Sequence, residues 1–445
     1  MLNKLKPKSE FAKNVLTLMT GTTIAQAIPI AISPILTRLY TPEDFGVFAL
    51  FMAITSIFGS IANGRYELAI MLPRKDEDAI NIMALGFIIN VVLSLFLLFV
   101  VIIFHDNIVN LLNNKEISPW LYLVPVSVFL IGLFNLLNYF NNRKKFYKDL
   151  AKANIYKSIG MAIVQLILGF LKAGAFGLIS GQIFSQIISN TKLFFNIMKL
   201  KLFKSIRKLK IIAVGKRYKK FPKYSLPSGV LNTISLQITP ILLSSFFNAS
   251  IVGFFSLSHR LISLPMSLIG GSIGQVFFQN SAQLIRDKEK LGLFVFNTFK
   301  KLVLISIIPF SIILIYGDIL FSFVFGDKWI MAGLFAQILS LWLFFVFITS
   351  PLTTLLDTIQ KQKEAMIFNF LIVVSRVSVL IIGGIFLKNE FITIALYTIV
   401  GVFFWIFWMF YVLGLVGIRK KDIIMLISKY LIPSILIFSF IRWLI

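Results

Sequence analysis

Residues 79–104 read AINIMALGFIINVVLSLFLLFVVIIF, from Ala79 to Phe104, without one charged side chain. At 1.5 Å per residue such a helix covers roughly 30 Å of hydrocarbon with residues to spare. In lipid, only helices and closed barrels satisfy their own backbone polar groups. The run is far longer than the roughly ten residues of a barrel strand. Similar stretches predict spans at 14–37, 45–64, 79–104, 119–141, 153–171 and 174–198. A second set is predicted at 225–247, 251–280, 293–316, 332–356, 365–387 and 392–416. A last apolar stretch, 427–445, is long enough to cross but carries Lys429, Pro433 and Arg442. The expected fold class is an all-α polytopic membrane protein of twelve spans, with a candidate thirteenth at the C-terminus.

Composition agrees. Of 445 residues, 58% are hydrophobic and 14% charged, against about 25% charged in soluble domains. The chain has no cysteine and two histidines, His105 and His259. Disulfides, thiolate metal sites and a cysteine nucleophile are thereby excluded, and a histidine-based metal site is not expected. The net charge of +26 would point to nucleic acid in a soluble protein. Its distribution points to topology instead. With the N-terminus cytoplasmic, Arg38, Lys115, Lys172, Lys328, Lys388 and Arg442 fall outside, Arg260 and Arg376 fall within spans, and the rest of the 44 Lys and Arg fall inside. That is a strong positive-inside bias. The charge serves orientation and contact with anionic membrane lipids, and no nucleic acid partner is expected. The basic start reads as the flank of the first span and not as a cleavable signal.

The least apolar segment, 199–223, carries eleven Lys or Arg interleaved with Leu200, Leu202, Phe203, Ile206, Leu209, Ile211 and Ile212. It reads as an amphipathic linker on the inner membrane surface. It separates a six-helix bundle at 1–198 from another at 224–416, followed by a cytoplasmic turn and the last stretch at 417–445. The halves resemble each other. Ser33-Pro34-Ile35-Leu36 recurs as Thr239-Pro240-Ile241-Leu242, and Phe170-Leu171-Lys172 as Phe386-Leu387-Lys388, at offsets of 206 and 216. Spans one and seven both start inside, so the expected repeat is parallel, a pseudo-twofold about the membrane normal enclosing a central cleft.

No outside loop is large enough for the catalytic surface of a membrane glycosyltransferase or polymerase. There is no P-loop, so energy would come from a gradient such as H⁺ or Na⁺, or from the substrate itself. Thr41-Pro42-Glu43-Asp44 spells a helix start, with Thr as N-cap and acids at the positive dipole end. Arg260 lies about 13 Å into span eight, and Arg376 lies near the centre of span eleven. Charges at such depth face a protein interior or a wet cavity. Arg38 and the pair Arg65/Glu67 lie at span ends, where snorkelling or a local ion pair competes with a binding role. His259 points about 100° from Arg260 around the helix and reads as a packed imidazole. The polar residues of spans one and seven, Thr23 and Gln26, Asn232 and Gln237, divide between helix-to-helix hydrogen bonding and the lining of a sugar-sized cleft. All Asp and Glu fall at span ends or in loops. The central charge is positive and fits an anionic substrate.

Ser33-Pro34-Ile35-Leu36-Thr37-Arg38-Leu39-Tyr40-Thr41-Pro42-Glu43-Asp44-Phe45-Gly46, followed by Arg65-Tyr66-Glu67-Leu68-Ala69-Ile70-Met71-Leu72-Pro73, resembles the opening of Wzx-type oligosaccharide flippases. These belong to the polysaccharide-export branch of the MOP superfamily, alongside MATE exporters. Phe325-Gly326-Asp327-Lys328-Trp329 with Ala332-Gly333 also resembles the stretch before their tenth span. The resemblance implies two six-helix lobes, no enzymatic activity and a bacterial inner-membrane location. It implies undecaprenyl-pyrophosphate-linked repeat units as substrate, for O-antigen or another surface polysaccharide, with polysaccharide polymerase machinery as a candidate partner. It also implies that Arg38, Arg65 and Arg260 hold pyrophosphate or acidic sugars; Arg376 joins them on depth alone. The alternatives are a MATE-type small-molecule antiporter, against which the missing central carboxylate argues, and a membrane glycosyltransferase or polymerase.

Overall fold

A computed structural model describes residues 10–266, 270–359 and 361–444. The basic opening, Met1 to Lys8, lies outside the described residues. Packing divides the chain into two compact units, Met1–Val252 and Gly253–Ile445. Among the described residues all regular structure is helical.

The first unit contains α1 (Glu10–Leu39), α2 (Pro42–Gly59), α3 (Tyr66–Ala69), α4 (Asp76–Leu112), α5 (Ser118–Leu121), α6 (Val124–Arg143), α7 (Tyr147–Phe170), α8 (Ala175–Met198), α9 (Lys208–Arg217) and α10 (Leu226–Phe246). The unit boundary falls within α11 (Ala249–Ile262). The second unit continues through α12 (Gly271–Leu284), α13 (Lys288–Phe325), α14 (Ile330–Thr349), α15 (Leu355–Thr358), α16 (Gln362–Ile382), α17 (Glu390–Gly414) and α18 (Lys420–Leu444). Ten helices among the described residues are long and apolar enough to cross a membrane, α18 included. The chain is a multi-pass membrane protein.

Helix α4 shows why. Val92, Leu95, Phe96, Phe99, Ile102 and Ile103 are exposed on it. Their spacing of three and four residues makes one continuous face, whereas Asn90, Ser94, Leu97 and Val101 on the same helix are buried. Asn90 donates through Nδ2 to the Phe129 carbonyl of α6 at 2.9 Å. An apolar face outward and polar groups inward is the pattern of a helix solvated by lipid.

Two predicted spans are interrupted. Residues 251–280 do not form one α-helix; α11 ends at Ile262 and α12 begins at Gly271. Pro265 supplies no N–H and its ring crowds the carbonyl four residues earlier. Residues 332–356 form α14 only to Thr349, then a 3₁₀ turn, Ser350–Thr354, where Pro351 supplies no N–H to continue the ladder. By contrast α1 runs through Pro29 and Pro34, and α10 through Pro240.

The Thr41 helix start is as read from sequence. Thr41 Oγ1 accepts from the Asp44 amide at 3.2 Å and the Thr41 amide donates to Asp44 Oδ2 at 2.9 Å. The basic segment is docked on the first unit. The Arg207 amide donates to Asn81 Oδ1 at 2.9 Å, Lys210 pairs with Glu77 at 2.7 Å, and Val214 is buried.

Candidate functional site

In the first unit the chain leaving α2 turns through two consecutive left-handed residues, Gly64 at φ 60° and Arg65 at φ 63°. For an arginine that conformation costs about 1–2 kcal/mol, and such outliers persist where the surroundings fix them. Here the surroundings are α10. The Arg65 guanidinium packs against Gly229, where any Cβ would collide with it. Arg65 Nη1 is 3.8 Å from Glu67 Oε1, and Glu67 is almost wholly buried. Arg65 Nε and Glu67 Oε2 are both buried without a hydrogen-bond partner among the described residues. Burial pushes the Glu67 carboxyl above the usual glutamate range, opposed by a backbone N–H and by Arg65. The local ion pair expected from sequence is therefore present, but incomplete.

Arg38, in the last turn of α1, is exposed and among the described residues reaches only the Pro34 carbonyl of its own helix, at 3.4 Å. Thr23 and Gln26 are exposed on α1; on α10 Asn232 is exposed and Gln237 half-buried. Ser33 and Thr37, two and three turns further along α1, turn inward and bond to their own helix backbone. Thr23 and Gln26 thus remain as a polar surface.

In the second unit Arg260 occupies the last turn of α11, at the interruption made by Pro265. Its side chain is exposed and has no hydrogen bond or ion pair among the described residues. A cation at a helix C-terminus is favoured by the dipole. His259 is packed, its ring stacked between Phe255 and Trp342 with centroids 5.7 Å from each.

Arg376 lies on α16 with its guanidinium 4.2 Å from the Trp342 ring of α14 and 5.2 Å from the Tyr397 ring of α17. Gly401 makes room for the indole, since a Cβ there would overlap it. Arg376 Nε and Nη2 and Trp342 Nε1 are buried without hydrogen-bond partners, and Arg376 has no carboxylate among the described residues. A desolvated cation–π contact is worth about 2 kcal/mol. It holds the guanidinium plane in place yet leaves its N–H edge free.

Sequence reading missed Trp342 and Tyr397, which look like ordinary core aromatics, and it missed Lys157. The Lys/Arg count assigned Lys157 to the inner side, four residues into a span starting at 153. Helix α7 starts at Tyr147, so Lys157 lies about 15 Å along it. A cavity of about 460 Å³ between Gly274 and Phe278 of α12 and the turn at Ser350–Thr354 contains none of the predicted residues.

The chain as a whole is similar to several known proteins. Relatives include an uncharacterized membrane protein in the cps region of Klebsiella pneumoniae, 25% identical over 78% of this chain and 70% of that protein. They also include the succinoglycan biosynthesis transport protein ExoT of Rhizobium meliloti, 22% identical over 58% of this chain and 51% of its own length. The lipopolysaccharide biosynthesis protein WzxC of Escherichia coli is 20% identical over 66% and 59% respectively. The chain thus spans only half to three-fifths of the latter two. Among solved structures, the inward-closed lipid II flippase MurJ superposes with a TM-score of 0.71 at 15% identity, over 96% of this chain and 92% of that one. An inward-facing multidrug resistance MATE transporter superposes with 0.69 at 15% identity, over 91% and 96%. The chain shares the fold of these two transporters. Residues 35–334 match the model of one family, polysaccharide biosynthesis protein, and the chain belongs to that family.

Proposed function

We propose that the chain is a flippase. It carries polyprenyl-diphosphate-linked oligosaccharide units from the cytoplasmic to the outer leaflet by alternating access, for the synthesis of a surface polysaccharide. The protein sits in the bacterial inner membrane with its N-terminus cytoplasmic, and it transports its substrate without altering it. A proton or sodium gradient is the candidate energy source.

The observation that carries this reading is Arg376. Buried cations in membrane proteins are normally paired. Arg376 is held by aromatic rings alone, and two of its nitrogens lack partners. A guanidinium offers a planar fork of donors that fits phosphate oxygens bidentately. Arg260, exposed and unpaired at the interruption after α11, fits the same role, because broken helices recur at transporter binding sites. Arg65, whose Nε is free, and Arg38 are further contacts nearer the membrane faces. Thr23, Gln26, Asn232 and Gln237 provide hydroxyl and amide groups for sugar.

ExoT is named for succinoglycan biosynthesis transport, WzxC for lipopolysaccharide biosynthesis, and MurJ as a lipid II flippase. A drug antiporter shares the fold, but would need a carboxylate to grip a cation. Asp318, which lies within α13, is taken by Arg442 and Gln337, and Asp357, which lines the cavity beside α12, is also partnered.

The test is deletion of the gene followed by measurement of lipid-linked sugars on each membrane face. The proposal expects accumulation on the cytoplasmic face and loss of surface polysaccharide. Unchanged distribution between the faces would refute it.

A further inference from the structure

Helices α7 and α16 lead into similar turns, α7 directly and α16 through a π-helical stretch, Gly383–Leu387. Lys172 after α7 and Lys388 after α16 are both left-handed, at φ 55° and 49°. Each follows the repeated Phe-Leu pair, and each leads into the next long helix, α8 and α17. The shared turn aligns the two helices without reference to how the units sit. Counted back from it, Lys157 is 15 residues away and Arg376 is 12. Three residues is just under one helical turn, and the π turn at Gly383–Leu387 winds less per residue, so the two cations fall on one face about one helical turn apart in depth.

Their surroundings match as well. The Lys157 ammonium lies 4.8 Å from the Phe134 ring of α6, the helix before α7 among the spans. Arg376 lies 4.2 Å from the Trp342 ring of α14, the helix before α16 among the spans. Neither cation has a carboxylate or any hydrogen bond among the described residues. Lys157 is half-buried. Helices α1 and α7 run in parallel, with Gly21 against Ala151 and Leu39 against Gly169. That register sets Lys157 level with Ala27, beside Gln26 in the polar stretch of α1.

We infer that Lys157 is an anion-contact residue of the first unit, the counterpart of Arg376 in the second, and that it takes a phosphate of the lipid-linked substrate. The inference rests on the flippase reading. An ammonium in hydrocarbon with neither acid nor hydrogen bond is costly, and a cation–π contact offsets only part of that cost. A ligand that brings its own negative charge supplies the rest. Lysine binds phosphate as a point charge, without the orientation an arginine fork imposes, which suits a contact that must form and break during a cycle.

The test uses the full chain in phosphatidylcholine nanodiscs, with undecaprenyl diphosphate as probe. Lys157→Met keeps the stem and removes the charge. It should weaken binding about tenfold, which is roughly 1.4 kcal/mol, and Lys157→Arg should restore most of it. Amine acylation of Lys157 in the unmutated protein, read by mass spectrometry, gives a measurement that needs no variant to fold. Undecaprenyl diphosphate and inorganic pyrophosphate should protect it, and phosphatidylglycerol should not. Equal binding by Lys157→Met and the unmutated chain, or acylation unaffected by diphosphate, would overturn the role of Lys157 and leave the flippase reading standing. Equal protection by phosphatidylglycerol would assign the site to ordinary lipid headgroups and also overturn it. Failure of the unmutated chain to bind the probe would bring down both.

Discussion

Two arginines in the second unit occupy the same solvent and face opposite fates. Arg442 of α18 reaches across to α13, where its Nη2 lies 2.7 Å from Asp318 Oδ2 and its Nη1 donates to the Ile315 carbonyl. Gln337 of α14 donates to the same carboxylate at 2.9 Å. Arg376 reaches only rings. The Arg442 cluster is closed, each charge met, and it ties the C-terminal helix to its neighbour. The Arg376 nest is open. Charge in a membrane protein is structural where it is neutralised within the fold and available for a ligand where it is not.

The largest expected effect falls on the open site. Arg376→Ala should lower surface polysaccharide at least tenfold in a complemented deletion strain at matched protein level, since losing one partner of a desolvated charge pair costs about 2–5 kcal/mol. Arg260→Ala should likewise lose most export while Arg260→Lys keeps part of it. Normal export by either alanine variant would remove that residue from the site. Loss of protein in place of loss of export would make the arginine structural.

Next is the scaffold of the nest. Gly401→Val would push the Trp342 indole off its seat, at an overpacking cost of about 1–3 kcal/mol. Export should fall several-fold, and Trp342→Phe, which keeps a ring, should fall less. Equal loss by the two would break the cation–π account.

The closed cluster predicts the converse. Arg442→Ala should lower the melting temperature in detergent by about 2–4 °C, as roughly 1 kcal/mol does in a domain of 150–250 residues, and leave export per folded molecule unchanged. Export loss without destabilisation would erase the distinction between the two arginines.

The smallest effect concerns Glu67. Its carboxyl is held above the usual range by burial, so the native state binds that proton more tightly than the unfolded chain. Its contribution is fully present below the ordinary glutamate range and is lost as pH rises through the raised value. Glu67→Gln should flatten that part of the stability–pH curve, measured by thermal unfolding. An unchanged slope would mean that Glu67 does not titrate as placed.

Much of this was legible in the chain itself. Hydropathy located most long helices, Thr41-Pro42-Glu43-Asp44 spelled its cap, and the lack of central acids marked Arg260 and Arg376 as unusual. Three features were hidden. Pro265 and Pro351 sit inside apolar windows, and a hydropathy average does not register the backbone donor they remove. The first turns of α7, Tyr147 to Lys152, are too polar to read as span yet remain helical, so Lys157 looked like an end residue. The rings beneath Arg376 come from helices far away in sequence, and no local pattern announces that Trp342 and Tyr397 converge on it.

The central claim, that the chain moves a lipid-linked anionic glycan across a bilayer, is met most directly in reconstituted vesicles. Purified protein would be placed in liposomes carrying a polyprenyl-diphosphate-linked oligosaccharide on the inner leaflet, and its appearance outside followed with an impermeant lectin or glycosidase. The account predicts transfer by the unmutated chain and little by Arg376→Ala. Transfer no faster than in protein-free vesicles, with or without an imposed H⁺ or Na⁺ gradient, would contradict it.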